Sequence, residues 1–155
     1  MPNHKWIRFS FYIISVSFFL TVMTSFVPVP AGTIEEDILY YVNIDRKSKG
    51  LKPLKINEVE SAIAAQHSRD MASGRTPFGH EGLEARAKKI RKQLGSITMV
   101  GENVASGPMT AKEAVEGWLQ SPGHKRNIEG DFTLTGIGWA KGKKGMIYFT
   151  QIFTK

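Results

Sequence analysis

The chain has 155 residues, with 21 Lys and Arg against 14 Asp and Glu, no cysteine, and a formal charge of +7. The lack of cysteine excludes a disulfide-stapled mini-protein, a zinc site built on thiolates and a nucleophilic-cysteine enzyme. With 41% hydrophobic and 23% charged residues the composition is that of a globular chain, and the length is that of one domain.

Residues 1–31 differ from the rest. His4, Lys5 and Arg8 form a short basic leader, Phe9 to Val27 carries no charge, and Pro28-Val29-Pro30-Ala31 ends the apolar character. This is the layout of a secretory signal peptide with cleavage after Ala31. A retained membrane anchor is the competing reading, since about 20 apolar residues span a bilayer. Both readings place residues 32–155 outside the cytoplasm, and exposure there without cysteines points to a bacterial envelope or secreted protein held by its core. Membrane contact is expected only through residues 9–27, and only if they are retained.

Setting aside Lys5 and Arg8 leaves 19 basic and 14 acidic residues, a net +5. The densest basic runs, RAKKIRK (86–92) and KGKK (141–144), read as a solvated helix face and a hairpin loop. No aromatic interleaving or groove-reading motif accompanies them, so nucleic acid is not an expected partner.

Thr33-Ile-Glu-Glu36 is a capping box, and Ile34, Ile38, Leu39 and Val42 continue it at helical spacing until Gly50 and Pro53. The segment LKPLKI reads as a linker. Asn57-Glu-Val-Glu60 opens a second helix, with Val59, Ile63, Ala64, His67 and Met71 on one stripe and Gly74 at its end. Ala62, Ala64 and Ala65 are small enough for another element to pack close. Residues 75–82 form a turn-rich loop, followed by a short basic helix around 83–93. Thr110-Ala-Lys-Glu113 is a further capping box, whose helix carries Ala114, Val115, Trp118 and Leu119 and stops at Ser121-Pro122-Gly123. Phe132 to Ala140 and Met146 to Phe153 read as strands of a hairpin. Gly136 and Gly138 share one side of the first strand, where something approaches the backbone. The pattern is α+β, with helices packed on a sheet.

Three polar residues stand out. His80 lies in a Phe-Gly-His loop, Glu102 inside the apolar stretch around Val100 and Val104, and His124 just after Ser121-Pro122-Gly123. Two imidazoles and a carboxylate suit a divalent metal with a coordination position left open, or a general base whose carboxylate orients an imidazole. The spacings match no local metal motif, and on spacing alone each histidine reads first as structural and second as a ligand. Glu102 fits either an architectural clamp on backbone amides or a place facing both histidines in a cleft. His67, on the apolar stripe of the second helix, reads as a satisfied packing histidine. Strand alternation puts Gln151 on one face with Phe149 and Phe153, in a hydrogen-bonding role that fixes loops.

Taken in order, FGH (78–80), GENVA (101–105), AVEGWLQSPGHKRNI (114–128), TGIGWA (135–140) and YFTQIF (148–153) resemble a CAP (SCP-like) domain of the bacterial type. That superfamily includes the cysteine-rich secretory proteins, venom antigens and pathogenesis-related proteins. The resemblance covers residues 34–155, within a domain set at 32–155. It implies an α-β-α sandwich with a mainly antiparallel central sheet, and a cleft holding two histidines and two acids. His80, Glu102 and His124 match three of the four. The second acid of eukaryotic members falls at Ser121, so a His-Glu-His triad remains, with Asn103, Ser121 and Gln151 as cleft support. Glu116 belongs on another part of its helix. If His80 and His124 share an ion such as Zn2+, their imidazoles lie within about 7 Å.

Similar proteins have been linked to divalent metals, to sterols and fatty acids, to interaction partners and to proteolysis. The expected function is, first, a secreted or envelope-associated binding module able to hold a divalent metal, with an extracellular protein, lipid or envelope component as partner. A metal-assisted hydrolase of peptide or envelope polymer comes second, and a lipid carrier third. No serine sits in an elbow motif that would make it a nucleophile.

Overall fold

A computed structural model describes residues 32–155. The leader, with its readings as signal peptide or anchor, lies outside the described residues. Among those described, no helix is long and apolar enough to cross a membrane.

Five helices and four strands follow one another: α1 (Ile34–Ser48), β1 (Lys55–Ile56), α2 (Glu58–Ser73), α3 (Leu83–Leu94), β2 (Val100–Gly107), α4 (Ala111–Gln120), α5 (Pro122–Ile128), β3 (Leu134–Lys141) and β4 (Ile147–Thr154). The helix starts are set by local chemistry. The hydroxyls of Thr33 and Thr110 accept from the amides of Glu36 and Glu113, whose carboxylates accept in return from the threonine amides, 2.7 Å away in each case. Asn57 caps α2 through its side-chain oxygen, and Gly74 ends that helix at φ 75°, a conformation glycine adopts without steric cost.

The sheet runs β1-β3-β4-β2, with β1 parallel to β3 and the other pairs antiparallel. Helices cover both faces. Phe149 and Phe153 point into a core with Ile38 and Val42 of α1, Val115 and Trp118 of α4, and Ile128 of α5. Ile152, on the alternate face of β4, packs with Ile63 and Ala64 of α2 and Ile90 of α3. The expected α-β-α sandwich is therefore present. The close approach at Gly136 and Gly138 comes from α2, because a Cβ on Gly136 would run into the Glu60 backbone and one on Gly138 into that of Ala65.

Three elements depart from the sequence expectation. LKPLKI contains β1, too short for a pattern and made a strand by its pairing with β3. The GENVA stretch is a full strand, β2, because β4 supplies its ladder despite two polar residues and a glycine within it. Pro122, read as a helix stop, begins a new helix at a position where the missing amide costs nothing, so His124 lies within α5.

Arg46 of α1 is buried and fixes the far end of α5. Its guanidinium donates to the carbonyls of Lys52 (2.8 Å), Ile128 (2.7 Å), Gly130 (2.9 Å) and Phe132 (3.2 Å).

Candidate functional site

The site forms at β2, an edge strand of the sheet. An exposed edge leaves carbonyls without ladder partners. Here the neighbouring helices satisfy them: Asn127 of α5 donates to the Glu102 carbonyl (3.1 Å) and the Trp118 indole of α4 donates to that of Val104 (3.0 Å). Asn103 adds a second tie, donating to the His124 carbonyl at 3.1 Å and accepting from Asn127 at 2.8 Å. These bonds set α5 against the strand that carries Glu102 and so place His124 beside it.

The loop between α2 and α3 brings His80 to the same place. Its ring lies 6.2 Å from that of His124, centroid to centroid, at an interplanar angle of 51°. That separation falls inside the distance expected for a shared ion. His80 is exposed and His124 half-buried. Burial, and then the neighbouring His80, lower the His124 pKa below the ordinary imidazole value.

Glu102 is sealed behind His80, its side chain fully buried. Its Oε1 accepts from His80 Nδ1 at 2.9 Å and from Arg86 Nη2 at 2.7 Å, and its Oε2 accepts from Arg86 Nε at 2.7 Å. Because the carboxylate only accepts in this arrangement, His80 donates through Nδ1, and in its neutral form the ring leaves Nε2 free. Arg86 also reaches His67, Nη1 to Nδ1 at 3.2 Å. His67 Nε2 lies 2.9 Å from the Gly79 carbonyl, which can only accept. His67 is therefore a neutral ring that donates through Nε2 and accepts through Nδ1. Its pKa is lowered, chiefly by burial and further by Arg86. His67 is thus a satisfied packing histidine, as its place on the apolar stripe implies.

The donor set allows a test of the fit to a metal. His80 Nε2 and a His124 ring nitrogen fit as two imidazole ligands, with Glu102 in the position of the carboxylate that orients a metal-bound histidine from behind. Glu102 does not fit as a third direct ligand, because Arg86 and His80 already take both its oxygens. Among the described residues, no group of three or more His, Cys, Asp or Glu is arranged to hold a metal ion. The expected three-ligand set thus becomes a two-histidine pair with a supporting carboxylate.

The remaining candidates separate clearly. Ser121, between α4 and α5, lines a pocket of about 270 Å³ together with His124, Ser106 and Trp118. Gln151 is fully buried and donates to Thr135 Oγ1 of β3 at 3.1 Å, so it ties one strand to the next instead of fixing a loop. Glu116 is exposed on α4, with its carboxylate 3.7 Å from the Lys112 ammonium. Sequence reasoning missed Arg86, which it absorbed into a solvated basic run. The available signal was helical phase, since Arg86 sits four residues before the buried Ile90 and next to the buried Ala87. An apolar groove of about 940 Å³, lined by Leu39, Tyr40, Ile44, Leu51 and Pro53, lies on α1 and shares no residue with the cleft.

Comparison with known proteins agrees with this fold. The model of the CAP cysteine-rich secretory protein family matches residues 39–153. YkwD of Bacillus subtilis is 33% identical over 138 residues, covering 87% of this chain and 52% of its own. An extracellular protein containing a SCP domain from Bacillus anthracis is 27% identical in structure-based comparison, with a TM-score of 0.64, covering 79% of this chain and 40% of that one. The chain thus spans about half the length of YkwD and less of the B. anthracis protein. NaASP2, whose crystal structure was determined with Zn2+, shares the fold at a TM-score of 0.56 and 13% identity, covering 81% of this chain and 83% of its own. With the family model spanning both histidines, Glu102 and the closing strand, the chain belongs to the CAP, or cysteine-rich secretory protein, family.

Proposed function

We propose that the protein acts outside the cytoplasm as a binding module whose cleft holds a divalent cation between His80 and His124. The observation that carries this reading is the pair of imidazoles 6.2 Å apart, one of them braced by Glu102 so that its free nitrogen stays available. A cation at this point supplies a positive centre for a carboxylate, phosphate or carbonyl of an envelope or extracellular partner. The basic leader and apolar stretch of residues 1–31 support the location, as does the likeness to an extracellular protein of B. anthracis. The Zn2+ in the crystal structure of NaASP2 supports the choice of ion.

Zinc titration by calorimetry tests the reading. Wild type is expected to give saturable binding that falls at least tenfold in both His80→Ala and His124→Ala. Equal binding by wild type and both variants refutes it.

The same His80–Glu102 pair is also the arrangement of a general base held in one tautomer, which keeps a metal-assisted hydrolase as the second reading. Turnover of a peptide or wall polymer that a chelator abolishes, zinc restores and His80→Ala removes would establish that activity.

A further inference from the structure

We propose that Arg86 is the positioning residue of this cleft: from α3 it clamps Glu102 behind His80, so that His80 faces the cleft with Nε2 bare and Glu102 stays out of the coordination of any ion. The inference rests on the reading of the cleft as a His80–His124 site, and it names the residue that sets the chemistry of that site without touching a ligand.

Arg86 stands apart from its helix. Lys88, Lys89, Arg91 and Lys92 of α3 are exposed, whereas the Arg86 side chain is only 13% exposed. Its fork meets Glu102 with two parallel bonds of 2.7 Å, the bidentate geometry a planar guanidinium supplies and an ammonium cannot. The other N–H groups are committed as well. Nη1 donates to the Glu81 carbonyl at 2.8 Å and to His67 at 3.2 Å, and Nη2 makes a long 3.5 Å contact with the His80 carbonyl. One side chain thereby joins β2, α2 and the loop that carries His80. It fixes His80 from two directions, through its backbone loop and through the carboxylate that receives its Nδ1 proton.

His67 completes the brace. Its Nδ1 can accept from Arg86 because Nε2 donates to Gly79, the residue that precedes His80. Without the fork, the fully buried Glu102 keeps a single donor, His80, and the orientation of its carboxylate is no longer determined. The Nδ1–H of His80 then meets an acceptor whose direction varies, and the ring samples both tautomers.

The test is nitrogen-15 NMR of the histidine rings in the metal-free protein, with zinc titration alongside. Wild type is expected to show His80 protonated at Nδ1 with a bare Nε2. Arg86→Lys keeps the charge and loses the fork, so His80 is expected to show averaged ring-nitrogen shifts and zinc affinity to fall about tenfold or more. An unchanged Trp118 indole resonance, whose bond to Val104 does not involve Arg86, shows that the variant is folded. If Arg86→Lys does not fold, Arg86→Gln removes the same fork while leaving Glu102 in place and is expected to produce the same ring-nitrogen change. His80 shifts identical to wild type in a folded variant overturn the inference, as does a wild-type His80 protonated at Nε2. If wild type binds no zinc, the cation reading falls, while the tautomer comparison still decides the role of Arg86.

Discussion

Glu60 offers the most direct test of how this core is held. It lies in the first turn of α2, fully buried, where its Oε1 accepts from Thr154 at 2.7 Å and its Oε2 has no partner. Burial raises its pKa from 4.5 to about 7, and the Thr154 bond opposes the rise. The folded state therefore holds this proton where the unfolded chain has released it. Below pH 4.5 both states are protonated and the group contributes no difference. Between 4.5 and about 7 the unfolded chain alone loses the proton, so stability declines as pH rises, and above that range the loss is complete. At about 1.4 kcal/mol per pH unit, the displacement from 4.5 to about 7 amounts to roughly 3 kcal/mol. Glu60→Gln keeps the shape and the Thr154 bond but removes the titration. Urea unfolding of both proteins across pH 4 to about 8.5 is the assay. Relative to wild type, the variant should gain roughly 3 kcal/mol between the acid and alkaline ends. His67 and His124, whose lowered pKa values cost stability as pH falls below about 6.5, contribute equally to both proteins and cancel in the difference. Parallel curves for wild type and variant refute the reasoning.

Two further substitutions probe the frame around the cleft. Gly138→Ala drives a methyl group into the Ala65 backbone, where rigid main chain cannot yield, and is expected to cost about 3 kcal/mol or more in urea unfolding. Arg46→Lys removes the planar fork that serves four carbonyls around the end of α5. It is expected to cost about 3 kcal/mol by the same measurement and to weaken zinc binding through movement of His124.

The sequence and the folded chain divide this information along physical lines. The starts of α1 and α4 were legible, because a threonine and a glutamate three residues apart satisfy each other's amides without help from the rest of the molecule. The crossing of α2 over β3 was half legible: Gly136, Gly138 and the alanines of α2 announced a close approach, though not which partner made it. β2 was not legible as a strand, since a carboxylate, an amide and a glycine break its alternation and only pairing with β4 makes it one. Pro122 is ambiguous for a different reason, because the same ring that ends one helix suits the first turn of the next.

The motif order by itself determined the family, the sandwich and the three residues His80, Glu102 and His124 as the place to look. Only the tertiary structure decided how each is held, because their placement depends on contacts between positions 16 to 25 apart in the chain, which no local pattern encodes. The direction of Arg86 shows this best. Within its run it is one cation among several, and it becomes the brace of the cleft because α3 packs with that side chain turned inward to a carboxylate on another element.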